Sequence, residues 1–158
     1  MSDACSATAP AGTPFQHCLR VYWEDTDAGG VVFYANYLKF FERARTEWLR
    51  HLGVGQQDLR DRTGAIFVVT DTRVQYRAPA RLDDELQVTV ALRQRGSASM
   101  VVHQQAWRHQ TLVAEGEIRI GCVDHLSFRP RRIPPEVLTR VAPADLTTRP
   151  PPLSAALP

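Results

Sequence analysis

Between Tyr22 and Tyr37 the chain changes period. A stretch that alternates apolar and polar residues ends on Asp25 and Asp27, meets Gly29-Gly30, and gives way to apolar residues three and four apart. Alternation marks a half-buried strand and the wider spacing an amphipathic helix, so a strand, a glycine break and a helix follow one another. From about Val32 to Leu52, the residues Phe33, Tyr37, Phe40, Phe41, Ala44, Trp48, Leu49 and Leu52 make one broad apolar face, and Gly53 supplies the stop. Such a helix is roughly 30 Å long at about 1.5 Å per residue and needs a large apolar surface to lie on. Its other face carries Lys39, Glu42, Arg43, Arg45, Glu47 and Arg50. There Glu42 with Arg45, and Glu47 with Arg50 or His51, are spaced for local ion pairs.

The required surface comes from strands. Upstream, Leu19, Val21 and Trp23 alternate with Arg20, Tyr22 and Glu24, giving a strand over about Cys18 to Glu24. Its inward parity continues through Asp25 and Asp27, so both carboxylates are expected to lean toward the interior. After a linking segment at Gln56 to Gly64, strand-like runs cover Ala65 to Arg77, Glu85 to Arg95, Ser99 to His109 and Thr111 to Val123. Alternation is plainest at Leu86, Val88, Val90 and Leu92, and again at Ile118, Ile120 and Cys122. The breaks carry turn residues: Pro79 with Asp83-Asp84, then Gly96-Ser97, then His109-Gln110. One strand, one long helix and four long strands predict an α+β fold, an antiparallel sheet wrapped on a helix. A parallel doubly wound sheet would demand more helices.

At 158 residues one domain is the default. It is expected over residues 15–142, between a disordered tail at 1–14 and a Pro-rich disordered end at 143–158. A net charge of +2 is too balanced to argue for nucleic acid and leaves room only for a local basic face toward a phosphate-bearing small molecule. Cys5, Cys18 and Cys122 are odd in number, without CxxC spacing or a partner histidine motif, and suggest neither a disulfide framework nor a zinc site. The opening residues lack a signal-peptide core, and no apolar run approaches about 20 residues. A cytoplasmic protein without stable membrane insertion, in a reducing compartment, is the expectation.

The chain has no GxSxG elbow, HExxH pair or GxxxxGK[ST] loop. Gly53-Val54-Gly55 begins like a dinucleotide fingerprint but lacks its third glycine and follows a helix where a strand is needed. His17, His51, His103, His109 and His125 share no ligand spacing. What remains is a pair of carboxylates beside a helix start, where amides without intrahelical partners favour an oxygen carrying negative charge. That is equipment for carbonyl chemistry. Capping explains Asp25 as readily as catalysis does. Asp27 fits capping less well: a cap reaches amides two or three positions on, and here two glycines intervene before the helical period begins. Gly29 and Gly30 read either as a tight turn or as bare backbone that lets a carbonyl approach the helix amides. Trp23, Phe33, Phe40, Phe41 and Trp48 read first as core and second as the wall of an acyl pocket. Arg129-Pro130-Arg131-Arg132 reads as a solvated edge or a phosphate grip.

The run Tyr22-x-x-Asp25-Thr26-Asp27-Ala28-Gly29-Gly30-Val31-Val32-Phe33-Tyr34-Ala35-Asn36-Tyr37, followed by Phe40-Phe41-Glu42-Arg43-Ala44-Arg45-Thr46-Glu47, resembles the hotdog-fold thioesterases of the 4-hydroxybenzoyl-CoA thioesterase type. The likeness is greatest to their Tol-Pal-associated acyl-CoA thioesterase branch. Pro79-Ala80-Arg81-Leu82-Asp83-Asp84 and Ala114-Glu115-Gly116 extend it over about residues 19–134. The resemblance implies a helix held in a curved antiparallel sheet, assembled as a homodimer or homotetramer with sites at subunit contacts. It implies an acyl-CoA thioesterase with no cofactor or metal, the CoA thioester entering as substrate. In this family the aspartate at the position of Asp27 is nucleophile or general base, and amides around Tyr34 polarise the carbonyl. Gly29, Gly30, Phe33 and Asn36 would then shape the substrate site. The Tol-Pal branch commonly has histidine where this chain has Tyr34, and the 4-hydroxybenzoyl branch has tyrosine; the amide at this position does not depend on the side chain. For the CoA tail, charge near turns nominates Arg93, Arg95, Ser97, Arg129 and Arg131. A second expectation, of a different class, is a non-catalytic hotdog module that binds acyl chains, acyl carrier protein or an assembly partner.

Overall fold

The computed structural model describes residues 13–141. The expected tails lie outside the described residues, apart from Thr13 and Pro14. In chain order the elements are β1 (Phe15–Arg20), α1 (Asn36–His51), α2 (Gln56–Thr63), β2 (Ala65–Tyr76), β3 (Glu85–Arg95), β4 (Ser99–Arg108), β5 (Thr111–Asp124) and α3 (Pro135–Arg140). The strands make one antiparallel sheet in the order β1-β3-β4-β5-β2.

The alternation sets which face is inside. Leu86, Val88, Val90 and Leu92 of β3, Met100 and Val102 of β4, and Ile118, Ile120 and Cys122 of β5 are all buried, against Phe40, Phe41, Ala44, Trp48 and Leu49 of α1. Register breaks at Val69/Asp71, Leu92/Gln94 and Ala106/Trp107 bend the strands and increase their twist, which lets the sheet curve around the helix. This is the hotdog arrangement. The packing is tight at Gly116 on β5. A Cβ there would stand 3.0 Å from the Arg73 carbonyl oxygen and 3.2 Å from Phe41 Cε2.

Four expectations are corrected. Helix α1 has 16 residues, about 24 Å, and starts at Asn36, not Val32. Val32 pairs with Thr26 and Phe33 donates its amide to Asp25, so neither is free to enter a helix. β1 ends at Arg20, and the chain then makes a 3-10 turn at Trp23–Asp25 that breaks the strand parity. Trp23, expected inside, is 80% exposed. The linking segment is helical as α2, unforeseen because Leu59 alone among its residues is buried and no helical period is visible. Finally, Cys18 is disulfide-bonded, which withdraws the cysteine argument for a reducing compartment; Cys122 is free and buried.

Candidate active site

The stretch between β1 and α1 is a sequence of small backbone locks. Val21 exchanges both backbone groups with the turn before β3, donating to Asp84 O at 2.9 Å and accepting from Asp83 N at 3.0 Å. Asp25, buried, turns its carboxylate back to accept from Tyr22 N at 2.8 Å, so it caps the 3-10 turn and not α1. Thr26 then bridges to Val32. Asp27 N donates to Val31 O at 2.9 Å and Gly30 N to Asp27 O at 3.0 Å, closing a hairpin loop over Ala28, Gly29 and Gly30. Gly30 takes φ 76, the left-handed position such loops require.

Asp27 sits at the mouth of this hairpin and is exposed, against the expectation that it leans inward. The reason is the 3-10 turn, which resets the direction of the side chains after Arg20. Its Oδ1 accepts from Gly29 N at 2.8 Å. Among the described residues Oδ2 has no partner. One carboxylate oxygen is therefore held and the other is presented.

The returning arm joins the carboxylate to the helix start. The carbonyl of Asp25 accepts from Phe33 N at 2.9 Å and from Asn36 Nδ2 at 2.8 Å, which binds the segment before Asp27 to the first residue of α1. Val32 N donates to Ala80 O at 2.8 Å, giving the Pro79-Ala80-Arg81 segment its part in the site. Asn36 N donates to Phe33 O at 2.8 Å. Among the described residues the amides of Tyr34 and Ala35 donate to no oxygen, so they are the orphan donors of this helix end, where the helix dipole also favours negative charge.

An aromatic wall stands beside them. Tyr76, at the end of β2, donates its hydroxyl to Tyr34 O at 2.9 Å. The Phe33 and Tyr34 rings lie 4.7 Å apart, Tyr34 and Tyr76 6.3 Å, and Tyr37 and Tyr76 5.6 Å, between centroids. Burial pushes up the pKa of both Tyr37 and Tyr76, so each remains a hydroxyl donor at neutral pH. Tyr76 was not singled out from sequence, and Ala80 entered only within the Pro79 to Asp84 run, with no part in the site assigned to it. The signal for Tyr76 was its place on the inward parity of β2, opposite Ala114.

From this wall an open seam runs between α1 and β2. The helix packs on β1 and β3, while Val69 and Tyr76, which face inward on β2, remain 50% and 48% exposed, as does Leu38 of α1 at 43%. Farther along, the seam deepens into a pocket of about 120 Å³ whose lining includes Glu42, Arg45, Phe67, Val69, Met100 and Ile120.

The residues nominated for the CoA tail lie elsewhere. Glu85 begins β3 beside the Val21 lock, and Arg95 ends it, roughly 30 Å away at about 3.3 Å per residue. Ser97 O accepts from Ile133 N at 2.8 Å, so the Arg129 to Arg132 segment gathers at that same far end. Two of these arginines hold the fold together. Arg95 Nη1 donates to Leu138 O and Val141 O at 2.7 and 3.0 Å, fastening α3, and Arg131 Nη1 donates to Thr63 O at 2.7 Å, fastening α2. Arg93 and Arg129 are exposed. Within one chain, then, Asp27, Gly29, Gly30, Phe33, Tyr34 and Asn36 come together, and Arg93, Arg95, Ser97, Arg129 and Arg131 form a separate group. Among the described residues no three His, Cys, Asp or Glu side chains are grouped to hold a metal, and no helix is long and apolar enough to cross a membrane.

Residues 21–141 match a protein family described as the Thioesterase-like superfamily. The acyl-CoA thioester hydrolase YbgC of Escherichia coli O6:H1 is 45% identical over 127 residues, spanning 80% of this chain and 94% of that protein. The acyl-CoA thioesterase YbgC of Haemophilus influenzae is 41% identical over 123 residues, 78% of this chain and 90% of its own. The crystal structure of a probable thioesterase from Bartonella henselae superposes with a TM-score of 0.71 at 30% identity, over 75% of this chain and 98% of that one.

Proposed function

We propose that this chain, which belongs to the Thioesterase-like superfamily and is an acyl-CoA thioester hydrolase, uses Asp27 as nucleophile or general base and the amides of Tyr34 and Ala35 as oxyanion donors. The observation that carries the reading is the hairpin. It presents a free oxygen of Asp27 on a segment whose preceding residue, Asp25, is bonded to both Phe33 and Asn36. Carboxylate and unpaired amides are thus parts of one rigid unit.

A thioester suits such equipment because a thiolate leaves readily. As nucleophile, Asp27 displaces the CoA thiolate and forms an anhydride that water opens; as base, it takes a proton from the water that adds to the carbonyl. In both routes negative charge develops on the carbonyl oxygen. Amide donors there are worth about 2.7 to 4 kcal/mol each by the usual cost of removing one. No resident cofactor is needed. Gly29 and Gly30 leave room for the thioester, Phe33 and Tyr34 wall it, and Asn36 holds the loop in place.

The site is completed by a second copy. Among the described residues β2 is an edge strand that pairs with β5 alone, and its inner face is open, so pairing of two β2 edges would cover both. A two-fold axis at an antiparallel pair of edges exchanges the two ends of the sheet. It brings the arginine-rich end of one protomer toward the Asp27 end of the other, where Arg93 and Arg129 grip the CoA phosphates with Ser97 beside them. The unit is a homodimer, able to pair again as a homotetramer, acting on acyl-CoA in the cytoplasm.

Asp27→Asn tests the assignment. The Asn Oδ1 still accepts from Gly29 N, so folding and assembly are kept while hydrolysis falls by at least about 10²-fold. Near-normal turnover in this variant, followed by thiol release, would remove Asp27 from the reaction.

A further inference from the structure

We propose that the pocket between α1 and β2 reads the far end of the acyl chain, with Arg45 donating to it, and that the enzyme favours acyl groups carrying an oxygen acceptor at the end remote from the thioester. The inference rests on the thioesterase reading of the Asp27 site and adds to it the class of acyl group.

The pocket has a polar device built into an apolar wall. Gln104 is fully buried on the inward face of β4, between Val102 and Ala106, where an amide is uncommon. Its own orientation is set. Nε2 donates to Phe41 O at 3.0 Å and reaches Thr89 O at 3.5 Å, which turns Oε1 toward Arg45. Arg45 Nη1 donates to that oxygen at 2.9 Å. A backbone carbonyl of α1 thus aims Gln104, and Gln104 aims the guanidinium.

That single bond occupies one of five donors. Among the described residues Arg45 makes no ion pair: Glu42, the charge that acts on it, has Oε1 occupied by Thr46 Oγ1 at 2.7 Å. No fully buried side-chain nitrogen or oxygen among the described residues lacks a partner, so the unused donors of Arg45 face open space. The open space at this residue is the pocket of about 120 Å³. Burial lowers the pKa of Arg45 in spite of the nearby Glu42 charge, as expected of a guanidinium drawn partly out of water with no direct ion pair. Such a group gains from a ligand oxygen more than an exposed arginine does.

Much of the remaining wall suits the chain that would carry this oxygen. Phe67, Val69, Met100 and Ile120 are apolar, with Glu42, Thr46 and Gln56 as the polar part of the lining. On β2 the half-exposed inward residues Val69 and Tyr76 lie between this pocket and Tyr34, whose ring Tyr76 touches. Tyr34 and Arg45 are 11 positions apart, or about 16 Å along the helix direction. An acetyl group stops short of Arg45; a chain of about dodecanoyl length spans the distance, and an octanoyl chain meets Arg45 where its side chain leans back toward the helix start.

The test compares kcat/KM on octanoyl-CoA, ω-hydroxyoctanoyl-CoA and ω-carboxyoctanoyl-CoA, with the dodecanoyl set alongside, for the full-length wild type, Arg45→Met and Arg45→Lys. The wild type is expected to prefer the oxygenated chain of matched length by about tenfold or more, the scale of a hydrogen bond to a charged donor. Arg45→Met brings the ratio to about one, and Arg45→Lys, which keeps charge without the planar fork, lowers it. Product inhibition of the wild type by ω-hydroxyoctanoate and octanoate gives the same comparison with no variant to fold. A wild-type ratio near one at both lengths overturns the proposal, as does a high ratio untouched by Arg45→Met. Failure to hydrolyse any of the six esters instead overturns the thioesterase reading, and this proposal with it.

Discussion

At the scale of the residue, the site depends on glycine as much as on aspartate. Gly29 has no φ that excludes other residues, but a Cβ there would stand 3.1 Å from Asp27 Oδ1. Gly29→Ala therefore displaces the carboxylate by a few tenths of an ångström while leaving the hairpin bonds in place. Because misplacement by about 1 Å can cost roughly 10²-fold, the variant is expected to lose about tenfold in kcat at an unchanged melting temperature. Full activity would mean that the Gly29 amide and the Asp27 carboxylate are not geometrically coupled in turnover. Asp25 follows the opposite logic. Its carboxylate is committed to Tyr22 N and its carbonyl to Phe33 and Asn36, so it builds the loop that carries Asp27.

At the scale of the element, the packing of helix on sheet includes one spot that only glycine fits, and the sheet carries a titrating pair on its back. At Gly116, Phe41 and the Arg73 carbonyl already fill the space a methyl would need. Gly116→Ala should cost about 1 to 3 kcal/mol, read as a lower denaturation midpoint with an unchanged slope. On the outer face, His103 Nε2 lies 3.5 Å from Glu115 Oε2. Burial first, and then Arg93, lower the histidine pKa in spite of that carboxylate. A histidine whose folded pKa lies below its unfolded value binds fewer protons when folded. Its contribution is full above about 6.5 and is lost as pH falls below that value toward the folded pKa. Glu115 is held low chiefly by its bond to Arg77, so its contribution persists until still lower pH. The melting temperature should thus decline between about pH 7 and pH 5, and His103→Gln should flatten that decline. A slope equal to that of the wild type would place the loss elsewhere.

At the scale of the whole molecule, the proposed dimer rests on the β2 edge, open among the described residues, and on the distance of the arginines from Asp27. Light scattering should give at least twice the 17.8 kDa of the chain. Val69→Asp, at a half-exposed position on the inner face of that edge strand, should shift the protein to monomer by light scattering; because Val69 also lines the acyl pocket, KM for acyl-CoA should rise through both changes. A monomeric wild type with full activity would remove the composite site. Much of this molecule was legible in its sequence. The bounds of β3, β4 and β5, the inward rows of Leu86 to Leu92 and Ile118 to Cys122, and the stop at Gly53 follow from alternation and helical spacing, which are set residue by residue along the backbone. The family motif around Asp27 likewise stands in one continuous run. Only the tertiary structure decided that Trp23 and Asp27 face out, that Arg95 and Arg131 are occupied in fastening helices, and that Gln104 aims Arg45 from 59 positions away. These are matters of register and turn geometry, and a local period does not carry them: the 3-10 turn at Trp23–Asp25 breaks the strand parity, so Trp23 and Asp27 face out while Asp25 stays buried, and a hydrogen bond across the sheet depends on how distant strands align.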